Sequence, residues 1–256
     1  MHSIAQYSKM NILITNDDGW GSQGILALTD VMRAMGHVTV VAPDSPRSGF
    51  SNAITSEGVI TLKRLTDSER EDVDIYVTNG TPSDCVKLAI NVLFKGDDTA
   101  INLLVSGINH GSNASINSIY SGTIGACMIG AEHNIPAIGF SIDDNNTPTD
   151  LSYFLPYIRP ITEELLSRAW HPTLCYNVNA PTGRIEGIQW TRQCLGHWTD
   201  EIAPRGETED GTLLFGLVGY YVNDEPEATD TDRYALQHGF IAIQPCTTDR
   251  TFYPAL

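Results

Sequence analysis

The sequence is short of basic residues. Its 256 residues include 15 lysines and arginines against 31 aspartates and glutamates, which gives a formal net charge of -16 at pH 7. A surface with this excess of negative charge repels polyanions and offers few side chains that could pair with a phosphate backbone. We therefore expect no DNA or RNA partner. A small phosphorylated substrate stays compatible, because a bound divalent ion reverses the sign of the local field.

The sequence also lacks paired cysteines and long apolar runs. An odd number of cysteines without a close pair fits neither a disulfide framework nor a zinc site, so we expect reduced, mostly buried thiols. The cysteines are Cys85, Cys127, Cys175, Cys194 and Cys246. No apolar run is long enough to span a bilayer, and Met1 to Met10 has no apolar core like that of a secretory signal. These observations predict a soluble cytoplasmic protein without a membrane partner.

Apolar periodicity alternates between strand and helix along the first part of the chain, which predicts an α/β fold with a doubly wound, mostly parallel sheet. The first predicted helix has Ser22 as its cap and Gly36 as its stop. Predicted strands are Asn11–Thr15, Val38–Ala42, Ile75–Thr78, Asn102–Ser106 and Ala137–Phe140, and predicted helices are Gly24–Met35, Pro82–Leu93 and Thr123–His133.

Beyond Asp143 the pattern changes. A polar stretch, residues 143–150, leads to an apolar segment at 151–170, where Pro156 and Pro160 should kink or shorten a helix. Later strands are predicted at Leu213–Val222 and Gly239–Gln244, around the acidic loop 223–232. We predict a catalytic core at 10–170, followed at 171–256 by the final core elements and a smaller β-rich appendage.

The most distinctive motif is Asn16-Asp17-Asp18-Gly19, which directly follows the first predicted strand. On a continuing strand the two carboxylates would point to opposite faces, so they approach one cation only if the backbone turns at once. Gly19 and Gly21 permit such a turn. The alternative is a solvated loop, because Asp and Asn are also common turn and cap residues.

Three further loops carry polar residues at the carboxyl ends of predicted strands, where doubly wound sheets bind ligands. They contain Ser48 beside Gly49, Gly80-Thr81-Pro82, and Gly107-Ile108-Asn109 followed by His110. The amide oxygen of Asn109 can serve as a neutral ligand beside two carboxylates. Ser48 is a weak nucleophile without a neighbouring base, and a polar turn is the alternative there. His110 suits proton transfer, although a lone loop histidine is more often a surface residue.

Ser121-Gly122-Thr123 stands at the start of an apolar helix, so its hydroxyls and the free amides of the first turn can bind an anion such as phosphate. Helix capping is the alternative, although it needs only one of these residues and leaves Gly122 unexplained. In Thr81-Pro82-Ser83-Asp84, a Thr cap, a Pro at the first helical position and an Asp in the first turn form a complete structural rationale. We therefore assign Asp84 to structure and leave Thr81 open.

One arrangement accommodates these motifs. Asp17 and Asp18 hold a divalent ion together with oxygens of Ser48 and Asn109, and the helix start at 121–123 holds an anion. Oxygen ligands favour Mg²⁺, Mn²⁺ or Ca²⁺ over Zn²⁺. Such an ion can polarise a phosphoryl oxygen and lower the pKa of a water, while helix amides stabilise the developing charge. The sequence thus predicts metal-assisted hydrolysis of a phosphate ester.

The same stretches, in this order, closely resemble the SurE survival-protein family of nucleotidases. They are Asn11-Ile-Leu-Ile-Thr-Asn-Asp-Asp-Gly19, Val41-Ala-Pro-Asp44 with Arg47-Ser-Gly49, Gly80-Thr-Pro-Ser-Asp-Cys-Val86, Val105-Ser-Gly-Ile-Asn109 and Tyr120-Ser-Gly-Thr123, and the likeness continues through 177–181 and 231–245. The resemblance implies a metal-dependent phosphatase acting on nucleoside 5′- and 3′-monophosphates. It also implies a Rossmann-like core and a homodimer or homotetramer built through an exchanged C-terminal arm.

The resemblance implies one metal ion, Mg²⁺ or Mn²⁺ in preference to Ca²⁺, on Asp17, Asp18, Ser48 and Asn109. It implies a phosphate pocket at Asn52, Ser121 and Thr123, to which the helix start adds Gly122. Two departures stand out: His110 replaces a usually small residue, and Ile129 replaces a common glutamate. The acidic residues usual before Tyr120 are also absent at 116–118.

Three alternatives stay open at this point. One Asp could attack phosphorus directly and form an aspartyl-phosphate, although the adjacent order lacks the spaced pair of haloacid-dehalogenase-like phosphatases. The chain could be a nucleotide-binding sensor with lost turnover, a hypothesis motivated by His110 and Ile129. It could also hydrolyse the N-glycosidic bond, since clustered aspartates suit calcium-dependent nucleoside hydrolases as well.

Overall fold

The computed structural model describes residues 10–67, 69–144, 149–168 and 170–251, and a nine-stranded sheet forms its centre. The start of the chain through residue 9 and the middle of the polar stretch 143–150 lie outside the described residues. The strands are β1 Met10–Thr15, β2 Gly36–Pro43, β3 Lys63–Leu65, β4 Asp74–Thr78, β5 Leu103–His110, β6 Ala137–Ile142, β7 Leu174–Ala180, β8 Gly187–Trp190, β9 Gly196–Thr199, β10 Ile202–Glu207, β11 Leu213–Leu217, β12 Tyr220–Asn223 and β13 Phe240–Thr247. The α-helices are α1 Gln23–Met32, α2 Pro82–Leu88, α3 Gly122–Glu132, α4 Leu155–Ser167 and α5 Asp232–Gln237.

The doubly wound, mostly parallel sheet is confirmed. Its strand order is β3-β4-β2-β1-β5-β6-β7-β13-β8, and the run from β4 to β7 is parallel throughout. β3 and β13 are the strands that pair antiparallel to their neighbours β4 and β7. Two separate two-stranded sheets, β10 with β11 and β9 with β12, form the small β-rich part.

Residues of β1 alternate between the two faces of the sheet, as the two-residue period of a strand requires. Ile12 and Ile14 belong to a buried cluster that includes residues of α1 and α4, whereas Leu13 belongs to a second cluster with α2 and α3. Both faces of the sheet are therefore covered by helices.

The first helix starts one residue before the predicted Gly24 and ends earlier than predicted. α1 ends at Met32 instead of Met35, because Gly36 pairs with Met10 and begins β2. Ser22 occupies the cap position without making a side-chain cap bond; its Oγ accepts a hydrogen bond from Nδ2 of Asn16 instead. The prediction of Gly36 as a helix stop was wrong, and the expected strand–helix–strand unit is nevertheless present.

Later elements depart further from the predictions. The strand predicted at 213–222 is two strands, because Gly219 adopts a positive φ of 109° between β11 and β12. The predicted helix 82–93 consists of α2 followed by a π-helical segment, Ala89–Leu93. α4 starts beside Pro156, whose position in the first turn needs no N–H donor, and continues through Pro160.

Four cysteines are buried and all five thiols are free, as expected. Burial raises the pKa of the Cys85, Cys127 and Cys175 thiols, so these groups are inert at neutral pH. Within the part of the chain that the structure describes, no helix has the length and apolar character needed to cross a membrane.

Candidate active site

The loops that follow β1, β2 and β5 meet at one edge of the sheet, around a cavity of about 680 Å³. Four of the predicted site residues line it: Asp17, Ser48, Asn109 and Ser121. These residues are distant in sequence. They were grouped by the expectation that ligands bind beyond the carboxyl ends of the parallel strands. The loops are also tied to each other, since the backbone N–H of Arg47 donates to the Asp17 carbonyl at 2.6 Å.

Asp17 is nearly inaccessible, with 3% of its surface exposed. Its Oδ1 accepts a hydrogen bond from Thr123 Oγ1 at 2.5 Å. Burial raises the pKa of this carboxyl from 3.8 to about 6, the nearby charge of Asp18 adds to the rise, and the Thr123 hydrogen bond opposes it. A cation placed beside Asp17 would therefore stabilise the ionised form of its carboxyl group, which burial disfavours.

Asp18 faces the last residue of β5, His110. The backbone N–H of His110 lies 3.4 Å from Asp18 Oδ2, and His110 Nδ1 lies 3.5 Å from the same oxygen. The side chains of His110 and Asp18 are 9% and 19% exposed. His110 also lines the cavity, and its buried Nε2 has no hydrogen-bond partner among the described residues. His110 is thus part of the site and is not a surface residue.

Asn109 sits where the register between β5 and β6 shifts, between Ser106 and Asn109. Its Nδ2 donates to the Gly111 carbonyl at 2.6 Å, so the amide orientation is fixed and Oδ1 is the atom that can bind a cation. Ser48 lies in an exposed loop at the cavity rim, next to Gly49 with a φ of 79°.

The start of α3 combines a cap with a support for Asp17. Ser121 Oγ accepts a hydrogen bond from the Ile124 N–H at 3.1 Å and is the N-cap. A Cβ on Gly122 would lie 2.8 Å from Cβ of Asp17, so only glycine fits there without moving the carboxylate. Capping therefore explains Ser121, and close packing against Asp17 explains Gly122.

Asn52, Thr81 and Asp84, which the sequence also singled out, do not line this cavity. Asn52 lines a neighbouring cavity of about 310 Å³, and its Nδ2 donates to the carbonyl of Gly125 within α3. Thr81 and Asp84 form a complete capping box, with Thr81 N–H donating to Asp84 and Asp84 N–H donating to Thr81. The structural assignment of Asp84 is confirmed. Ile129 packs into the buried cluster beside α2, which accounts for an apolar residue at this position.

Sequence reasoning missed the far wall of the cavity. These residues come from the segment between β5 and α3 and from the two small sheets, namely Asn117, Tyr120, Trp198, Glu201, Leu217 and Val218. No local pattern identifies them, because their place depends on contacts between distant parts of the chain, such as the hydrogen bond from Trp198 Nε1 to Asn117 Oδ1.

The donor set suits a hard cation. Two adjacent carboxylates, an amide oxygen and a hydroxyl offer only oxygen ligands, the type that Mg²⁺, Mn²⁺ and Ca²⁺ prefer. Among the described residues no lysine or arginine pairs with Asp17 or Asp18, and His110 is the one basic side chain within 4 Å of Asp18. The same residues contain no group of three or more His, Cys, Asp and Glu side chains suited to a metal, so an ion bound beside the two aspartates would need neutral oxygens such as those of Ser48 and Asn109.

The comparison with known families decides the relationship. The family model for the survival protein SurE matches residues 12–200. This chain belongs to the SurE family. A 5′-nucleotidase SurE of Phocaeicola vulgatus is 41% identical over 247 residues, covering 94% of this chain and 92% of the relative. A 5′-nucleotidase SurE of Flavobacterium psychrophilum is 41% identical over 252 residues, covering 97% and 96%.

The fold agrees with this SurE membership. The crystal structure of the SurE protein from Aquifex aeolicus superimposes with a TM-score of 0.78 at 29% sequence identity, covering 94% of both chains. The overlap is close to full length, so the small β-rich part after β8 is included in the comparison as well as the central sheet.

Replacing Thr123 by Val should lower kcat/KM by about 10- to 100-fold, because the change frees Asp17 Oδ1 to rotate while nearly preserving volume. Thr162→Val is the matched control, since Thr162 is a fully buried helical threonine whose Oγ1 bonds the Ile158 carbonyl far from the cavity. Steady-state kinetics and thermal melts of both variants test this. Unchanged kcat/KM in Thr123→Val, or equal losses in both variants, would show that the hydroxyl does not position Asp17.

Proposed function

We propose that the chain is a divalent-metal-dependent phosphomonoesterase that hydrolyses nucleoside 5′- and 3′-monophosphates to nucleoside and phosphate. One observation carries this proposal: Asp17 is buried, unpaired with any described side-chain cation, and shares a cavity with Ser48, Asn109 and the start of α3. The names of the relatives, 5′-nucleotidase SurE at about 40% identity over nearly the full chain, support the same activity.

The site contains two sets of residues, one for the metal ion and one for the phosphate group. Asp17, Asp18, Ser48 and Asn109 would hold the metal ion. When bound, a divalent ion polarises a phosphoryl oxygen and lowers the pKa of a water, so that hydrolysis proceeds near neutral pH.

The start of α3 binds the phosphate group of the substrate. The N-terminal end of α3, where the positive end of the helix dipole lies, is at the cavity edge marked by Ser121. Asn52 lies beside the same helix through its bond to Gly125 and stays a predicted phosphate contact. These donors are fixed before substrate arrives and stabilise the charge that builds up on the phosphoryl oxygens.

Finer properties belong to the same proposal. The metal is Mg²⁺ or Mn²⁺, and the protein acts in the cytoplasm. Residues 10–170 form the catalytic core, and 171–256 supply the last core strands and an arm that joins subunits into a homodimer or homotetramer. Exposed apolar side chains on β10 and β11, including Ile202 at 63% and Phe215 at 57%, support an arm that binds another subunit.

Removing the metal should abolish turnover. Phosphate release from a panel of nucleoside monophosphates is measured in excess chelator and again after Mg²⁺, Mn²⁺ or Ca²⁺ is restored. We expect activity at background in chelator and recovery with Mg²⁺ or Mn²⁺, because no described basic side chain can replace the cation.

Several outcomes would contradict the proposal. Full activity in chelator would exclude the metal. Saturable nucleotide binding without phosphate release would favour a sensor, and free base in place of phosphate would indicate glycosidic cleavage. Rapid-quench trapping of a phosphorylated protein would replace attack by water with attack by an aspartate.

A further inference from the structure

The cavity extends well beyond the carboxylates. Its volume of about 680 Å³ lies within the range of about 300–1,000 Å³ typical of whole small-molecule sites and exceeds the needs of a phosphate group alone. Besides Asp17, Asn109 and Ser121, its lining includes three apolar side chains, Trp198, Leu217 and Val218, which we call its apolar end. These three side chains have no role in the metal and phosphate chemistry.

The orientation of Trp198 is fixed within the protein. Its indole Nε1 donates to Asn117 Oδ1 at 2.8 Å, and its ring packs edge-to-face against Tyr221, with the centroids 6.3 Å apart. Trp198 and Tyr221 are also direct partners in the β9–β12 pair. A ring held in this way loses little freedom when a flat ligand packs on it, which favours binding.

Charge at this end argues against a second anionic group. The described lining residues there include the carboxylate of Glu201 but no lysine or arginine. An uncharged aromatic group fits this surface, since every nucleobase offers a π-face whatever its hydrogen-bonding edge.

We infer that Trp198 is the stacking surface for the nucleobase of the substrate, and that Leu217 and Val218 form the apolar side of the same subsite. The inference rests on the proposed nucleotidase activity and adds the element that distinguishes a nucleotide from a simpler sugar phosphate. Trp198 thereby determines specificity, while the loops after β1 and β5 act on the phosphate ester.

The test compares a nucleoside 5′-monophosphate with ribose 5-phosphate, which keeps the phosphate and sugar but has no base. In the wild-type protein the nucleotide should have the lower KM. Trp198→Ala should raise KM for the nucleotide about tenfold or more, the effect of losing one base-stacking contact, and leave the kinetics with ribose 5-phosphate unchanged.

Two further variants separate stacking from folding. Trp198→Phe keeps an aromatic face without the N–H donor, so it should retain most of the nucleotide preference. It provides the test if Trp198→Ala proves unstable. Tyr220→Ala is the control, because Tyr220 is 59% exposed on the neighbouring strand and does not line the cavity. We expect its kinetics to match the wild type.

The outcomes are distinct. No phosphate release from either compound by the wild type would overturn the proposed activity itself. Release with equal KM values for both compounds, or equal losses for both in Trp198→Ala, would overturn the base subsite and leave the phosphatase in place.

Discussion

Replacing Asp17 by Asn is expected to lower kcat/KM by at least about a hundredfold, because the variant loses a charged ligand at the point where the reaction builds up negative charge. The shape of the residue hardly changes, and the Thr123 hydroxyl can accept a hydrogen bond from the new amide as readily as it donates to the present carboxylate. Phosphate release in the presence of Mg²⁺ or Mn²⁺ gives the measurement.

The same substitution should stabilise the metal-free protein. Burial raises the pKa of Asp17 from 3.8 to about 6, so the ionised carboxylate costs the folded state on the order of 2–3 kcal/mol above pH 7. Well below pH 3.8 the group is neutral in both folded and unfolded protein and the cost vanishes. In chelator, Asp17→Asn should therefore melt at higher temperature than the wild type at pH 8, with the difference shrinking as the pH falls through 6 towards 4.

A variant with less activity and more stability is a signature of a residue kept for function. Asp200→Asn serves as the control, because Asp200 is exposed and has a positive φ of 51°, which asparagine also adopts. It should change neither activity nor the melting temperature. Full turnover by Asp17→Asn, or a lower melting temperature in chelator at pH 8, would show that the carboxylate does not have the role assigned to it.

The second large effect is expected from Gly107→Ala, which should destabilise the protein by about 2–5 kcal/mol and lower activity as well. Gly107 has a φ of 127°, and a Cβ there would lie 2.2 Å from the carbonyl oxygen of Phe140 in β6. On the other side of the segment, a Cβ on Gly24 of α1 would lie 2.0 Å from the Ile108 carbonyl oxygen. The chain just before Asn109 is thus held between a helix and a strand, and any displacement moves the ligand oxygen.

Thermal or urea unfolding of Gly107→Ala, together with kcat/KM, tests this. Gly21→Ala is the matched control in the loop that follows the two aspartates, since a Cβ at Gly21 meets nothing within 4 Å. The control should stay within about 0.5 kcal/mol of the wild type. A Gly107→Ala protein as stable and active as Gly21→Ala would mean that the segment before Asn109 adjusts freely.

The sequence was sufficient to predict the sheet and the polar end of the cavity, because both depend on local signals. Asp17 follows a strand with the apolar pattern of β1, Ser48 follows β2, and Asn109 lies at the end of β5 in the same sheet. Parallel strands end at one edge of the sheet, so the sequence alone indicated that the three side chains lie close together. Ser121 was recognised by its place before an apolar helix.

The apolar end of the cavity could not be predicted. Trp198 reaches the site through the pairing of β9 with β12, whose register is set by packing and not by a pattern in either short strand. The division of residues 213–222 into two strands depends on the bend at Gly219, which an apolar run with a single glycine does not reveal. The need for glycine at position 122 could not be predicted, because it arises from close packing against Asp17, which is distant in sequence.

Asp232 connects the segment before α3 with the loop before β9. Its fully buried carboxylate accepts hydrogen bonds from the backbone N–H groups of Ser115 at 2.8 Å and Cys194 at 3.0 Å. Ser115 begins the short 3₁₀ segment that carries Asn117, the acceptor for the Trp198 indole. Exchanging the last quarter of this chain for that of a homologue would therefore also alter the cavity wall at Asn117 and Trp198. To preserve substrate choice, the segment from Ser115 to Asn117 should be exchanged together with the last quarter.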